Sequence, residues 1–115
     1  ACVLQKLKTG DAAACPAETV LRAACCGGAR AMGLHDCDCL RAGKKADLIV
    51  IDLDRPSMRP HIDIAKNLVY SGSKDVVELT MVGGRILYEK GEFFVGIEPE
   101  ALYERCEKLF KELTK

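Results

Sequence analysis

Ala42-Gly43-Lys44-Lys45-Ala46-Asp47-Leu48-Ile49-Val50-Ile51-Asp52 decides the architecture of this chain. A turn of small and basic residues runs straight into Leu48–Ile51, a continuous run of Leu, Ile and Val. Such a run marks a strand covered on both faces. Beyond it, Arg55-Pro56 and Arg59-Pro60 bracket an extended loop, Ile62 to Lys66 has room for one helical turn, and Asn67 to Ser71 reads as a short strand before a Gly72-Ser73 turn. From Val77 to Met81, apolar Val77, Leu79 and Met81 alternate with Glu78 and Thr80, a strand with one wet face. Gly83-Gly84 is a strong two-residue hairpin signal, with Arg85–Glu89 as the returning strand. Lys90-Gly91-Glu92 then turns into Phe93-Phe94-Val95.

Upstream of the decisive stretch the spacing is helical. Val3, Leu4 and Leu7 share a face in a helix that Thr9-Gly10-Asp11 ends, and apolar spacing from the first residues suggests a helix already under way. A second helix starts at Pro16, with Glu18 in its first turn and Val20, Leu21, Ala24 and Cys25 as its buried stripe. Gly27-Gly28 is expected to interrupt it and to permit a close helix junction, and Gly33 closes a short following helix. At the other end Pro99 opens a last helix whose Leu102, Cys106, Leu109, Phe110 and Leu113 form an apolar stripe, read as core. Lys108, Lys111 and Lys115 favour the negative end of its dipole. The sum is an α+β chain with a small, mainly antiparallel sheet, N-terminal helices and a C-terminal helix.

Bulk composition removes several function classes. The 115 residues carry 17 basic and 17 acidic side chains, so no net charge favours nucleic acid or an anionic membrane. Apolar runs fall well short of the roughly 20 residues of a membrane span. No basic segment followed by a long apolar one opens the chain, so a soluble, cytoplasmic location is expected. Seven cysteines without a signal segment argue against a secreted disulfide framework.

The one cluster with metal-ligand chemistry is His35-Asp36-Cys37-Asp38-Cys39, with Cys25-Cys26 some ten residues earlier. A Cys-x-Cys pair with a nearby His supplies three zinc ligands, making His35, Cys37, Cys39 and Cys25 the metal candidates. Their spacing matches no recognised zinc module, and thiols packed in or near a core as small hydrophobes beside a polar turn are the preferred reading. His35 and His61 fall in no His-x-His pattern. Gly27-Gly28 and Gly33 follow no strand and precede no phosphate-loop signature, and Gly83-Gly84 needs only the hairpin. Lys44-Lys45 and Arg55/Arg59 read as a solvated basic face interrupted by acids. No catalytic or cofactor-binding residue is assigned.

From Ala23 through Val95 the chain resembles the C-terminal part of an amidohydrolase of the cytosine deaminase, chlorohydrolase and S-adenosylhomocysteine deaminase group. Gly28-Ala29-Arg30-Ala31-Met32-Gly33-Leu34, Gly43 to Leu53 and Val76 to Gly91, with Met81 to Tyr88 within it, carry the resemblance, and Asn67-Leu68-Val69-Tyr70 fits it. One departure lies at Asp36–Leu40, where related proteins often show glycine in the turn.

The resemblance implies three regions. Residues 1–35 would be a remnant of the last barrel helices, 36–96 one half of the composite β domain (a β-sandwich), and 97–115 a C-terminal helix packing with them. It implies a parent hydrolase that uses a divalent metal such as zinc or iron on carbon–nitrogen bonds of small substrates. Its metal ligands, a His-x-His pair, two later histidines and an aspartate, match no position here. The expectation is a structural fragment, inactive alone and holding no cofactor. Its partners would be the missing N-terminal barrel and β strands, or a second copy through exposed apolar surface. The alternative is an independent small binding module that takes zinc through the Cys/His cluster.

Overall fold

The computed structural model describes residues 2–114, so Ala1 and the dipole role expected of Lys115 lie outside it. Helix α1 spans Cys2–Thr9 and α2 Ala17–Arg22, with Pro16 capping the latter. Gly27-Gly28 does not interrupt this second helix. The chain passes through one π turn, Ala23–Gly27, directly into α3, Gly28–Ala31. A Cβ at Gly27 would stand 3.7 Å from the Arg22 carbonyl oxygen, an ordinary contact, so the expected close junction is absent at these glycines. Gly33 does close α3: its positive φ of 74° lets the Leu34 N–H reach the Ala29 carbonyl at 2.8 Å.

The segment read as a strand at Asn67–Ser71 is helical. Helix α4 runs Ile64–Tyr70, and the Asp63 carboxylate accepts the Lys66 N–H at 2.9 Å to cap it. The Asn67 amide then donates to the carbonyls of Met58 and Pro60, 2.8 Å each, tying the helix to the preceding loop. A short Leu-Val-Tyr run carries no period of its own, and the cap decides it. Beyond the helix end only glycine fits at 72, because a Cβ there would lie 2.7 Å from the Leu68 carbonyl oxygen.

Strands β1 (Leu48–Ile51), β2 (Val77–Val82), β3 (Arg85–Glu89) and β4 (Glu92–Phe93) form one antiparallel sheet in that order. Leu48 pairs with Met81 and Val50 with Leu79, while Thr80 pairs with Tyr88. Gly83 and Gly84, at φ 57° and 79°, make the tight turn expected of them. Lys90 and Gly91 repeat that geometry before β4, where the Tyr88 and Phe93 rings stand 5.1 Å apart. The Asp47 carboxylate accepts the Gly83 N–H, and the Ala46 carbonyl accepts the Gly84 N–H at 3.0 Å.

Helix α2 packs against α4, and α4 against the 3₁₀ turn Pro56–Met58; Ala17 and Met58 are fully buried on these elements, as is Val76 just before β2. The Val76 carbonyl accepts the Asp52 N–H at 2.8 Å, which extends the pairing of the first and second strands. At the far end of α4 the buried Cys2 thiol donates to the Cys15 carbonyl at 3.1 Å, so the Tyr70 hydroxyl donates to the sulfur at 3.0 Å.

Elsewhere the expected burial is missing. β1 is poorly covered: Leu48 and Ile51 are half-buried, but Ile49 is 55 % and Val50 43 % exposed, although neighbours on a strand face opposite ways. On α2 and its continuation, Val20 and Leu21 are half-buried, but Ala24 and Cys25 are exposed. The apolar stripes of α1 and of the last helix, α5 (Pro99–Leu113), face solvent, with Phe110 and Leu113 among the most open. Among the described residues no helix packs broadly over either face of the sheet. The radius of gyration, 18.0 Å, exceeds the roughly 13 Å of a compact domain of this length. The α+β assignment and the antiparallel sheet stand, but the elements lie open.

Candidate functional site

The most buried polar constellation among the described residues lies in the turn between α3 and β1. Asp38 is 8 % exposed, and its carboxylate pairs with the Lys44 ammonium and, at 3.3 Å, with Nε of Arg30 from α3. Lys44 also donates to the His35 carbonyl at 2.9 Å, so one ammonium closes both ends of the turn. Next to it Lys45 pairs with Asp36 at 2.7 Å, while its N–H reaches the Asp36 carbonyl at 2.8 Å. The basic pair is therefore no plain solvated face: Lys44 is half-buried and structural. The turn closes without a left-handed residue at Asp38 or Cys39, since neither takes a positive φ. Nothing in the sequence singled out Asp38 as the anchor, because a turn has no period.

The Lys44 hydrogen bond and charge, with Arg30 behind them, hold the Asp38 carboxyl below the usual carboxylate range. A carboxyl lowered by folding lends stability above its unfolded value of about 3.9, and loses it as pH falls through the lower folded value. Acid titration followed by circular dichroism is therefore expected to leave the fold level down to about pH 4 and to weaken it below. Lys44→Gln is expected to move the acid transition to higher pH, and an unmoved transition would remove Lys44 from this role.

Against this turn lies an open groove of about 290 Å³, lined by Cys25 and Cys26 from the π turn, Cys37, Asp38, Cys39 and Leu40 from the loop, and Asp47, Leu48 and Ile49 leading into β1. Three of the four metal candidates, Cys25, Cys37 and Cys39, thus share a surface, joined by Cys26. His35 is not among the lining residues and is exposed. Burial first, and then the Asp47 carboxylate, push the Cys37 thiol above its ordinary value, which favours the neutral, unreactive form. All seven cysteines are free thiols. His61 is spent elsewhere: its Nε2 lies 2.7 Å from the Leu53 carbonyl and must carry the proton it donates.

A hydrolytic metal centre does not fit these residues. Among the described residues no three His, Cys, Asp or Glu side chains are grouped to hold a metal ion, and the two histidines lie far apart in sequence. None of the described helices is long and apolar enough to cross a membrane.

Comparison with known proteins places the chain. Residues 1–87 match the profile of the Amidohydrolase family. The 5-methylthioadenosine/S-adenosylhomocysteine deaminase of Pelotomaculum thermopropionicum is 36 % identical over 108 residues, covering 94 % of this chain and 25 % of that protein. The 5'-deoxyadenosine deaminase of Methanosarcina acetivorans is 36 % identical over 114 residues, covering 99 % of this chain and 26 % of its own length. A crystal structure of an adenosine deaminase from Xanthomonas campestris with bound zinc superposes with a TM-score of 0.91 at 29 % identity, over 98 % of this chain and 26 % of that one. The chain therefore spans about a quarter of the length of the relatives it matches. With three-quarters of it under the family profile, the chain belongs to the amidohydrolase family.

Proposed function

We propose that this chain serves as the C-terminal structural portion of a metal-dependent amidohydrolase that removes an amino group from a small adenosine-like substrate. The observation that carries the reading is the combination of near-complete coverage of this chain with quarter coverage of its deaminase relatives. In such enzymes a bound divalent metal activates water for attack at the carbon–nitrogen bond. Among the described residues no group is arranged to hold such a metal, and on this reading the chain is inactive alone and its contribution is architectural: α2–α4 and the sheet brace the rest of the enzyme.

The uncovered stripes on α1, β1 and α5 support this role, because contiguous exposed apolar surface marks a place of contact. The intended partner is the N-terminal barrel and its accompanying strands, which would complete a sandwich over the sheet, in the cytoplasm. Without them the same surface drives association between copies.

Ammonia release tests the reading. The purified chain, supplied with zinc and 5'-deoxyadenosine or S-adenosylhomocysteine, is expected to give none above the blank. Adding the N-terminal three-quarters of the Pelotomaculum relative as a separate polypeptide is expected to bring activity up. Turnover by this chain alone would sink the structural assignment, and a mixture no more active than that N-terminal part alone would sink the partner.

A further inference from the structure

We infer that helix α5 is a self-complementary surface through which two copies of this chain pair antiparallel. The helix stands clear of the fold. Every residue from Glu100 to Leu113 is exposed, and among the described residues no other element packs broadly against it. Its apolar residues are laid out to meet another helix. Leu102, Cys106, Leu109 and Leu113 follow one another at spacings of four, three and four, the seam of a coiled coil. Tyr103 and Phe110 widen one flank of that seam, and Arg105 and Glu112 line the other.

Those flanks choose the partner and its direction. Laid antiparallel on a second copy, Leu102 meets the partner's Leu113, and Cys106 meets the partner's Leu109. One flank then brings Arg105 to the partner's Glu112, and the other brings Tyr103 to the partner's Phe110. Opposite charges beside a seam set pairing and orientation. Laid parallel, Arg105 falls beside the partner's Phe110 instead, and no ion pair forms along the seam. The start of the helix suits the antiparallel register as well. Phe93, Val95, Ile97, Pro99, Leu102 and Tyr103 line an open apolar pocket of about 120 Å³. Pairing carries the partner's Leu113, the most exposed leucine of the seam, to Leu102 in that pocket's wall. Two heptads make a small and therefore weak interface, which sets the pairing above the micromolar range. The inference concerns the chain by itself, with α5 uncovered, and holds whether or not the chain braces a deaminase.

The test is sedimentation of the Ile49→Lys/Val50→Lys chain, whose β1 edge is closed to pairing by charge, from micromolar to sub-millimolar concentration. A monomer is expected at the low end and a reversible dimer at the high end. On that background Arg105→Glu and Glu112→Arg are each expected to raise the dimer dissociation constant about tenfold, because like charges then meet twice in each dimer. Combining the two is expected to restore the original constant, which a mere loss of helix in either single variant would not allow. Leu109→Lys, with unchanged circular dichroism, is expected to leave a monomer throughout. A chain that stays monomeric at every concentration would overturn the proposal. So would a charge-exchanged double variant that pairs no better than the single ones.

Discussion

Met58→Ala is expected to lower the stability of the fold by about 2–5 kcal/mol. Met58 is 0 % exposed, one of the two largest fully buried side chains, and it sits in the 3₁₀ turn packed against α4. The cost adds lost transfer free energy to the cavity that neighbours only partly refill. Ordinary domains hold about 5–15 kcal/mol in total, and this chain buries few large side chains with which to reach that range. The substitution is therefore expected to remove most of the cooperative unfolding transition. Urea denaturation followed by circular dichroism measures it. A midpoint within experimental error of the parent would show that the core lies elsewhere.

An equally large change is expected at β1, in association rather than stability. Ile49 and Val50 lie on opposite faces of an edge strand whose outer backbone groups have no strand beside them among the described residues. An exposed, apolar, unprotected edge is a template for pairing with another chain. The chain is expected to sediment as dimers or larger species at micromolar concentration and to bind a dye specific for hydrophobic surface. Ile49→Lys with Val50→Lys places charge on both faces of that edge, the device natural sheets use against such pairing. The double variant is expected to sediment as a monomer while retaining the β2–β3 hairpin. A parent chain that is already monomeric and dye-negative would refute this account of β1, as would a variant that still associates.

Local chemistry was legible in the sequence, and dependence on a partner surface was not. Gly83-Gly84 and Arg85–Glu89 could be read because a tight turn needs only its own residues. The last helix could be read from Pro99 and its repeating apolar positions. Leu48–Ile51 was rightly a strand, but its cover was not foreseeable: an apolar run records what a strand is suited to face, not what lies against it. The same holds for the stripes of α1 and α5. Asn67–Ser71 misled because the Asp63 cap and the Asn67 side chain, not the apolar residues, hold that helix. At the candidate site, Cys25, Cys37 and Cys39 were visible as types and do line one groove, but His35 is not among its lining. The Asp38–Lys44 pair carried no sequence signal, since charges six positions apart in a turn meet only once the chain has bent.

The two hydrogen bonds from the Gly83-Gly84 turn to Asp47 and Ala46 also act as an address label. A slip of one residue would send every side chain of a strand to the opposite face. These bonds hold a turn, rather than a strand, against the residues just before Leu48, so sliding would have to break both. Leu48 and Val50 therefore keep one side of the sheet and Ile49 the other. Whatever lies against β1 meets the same two faces every time.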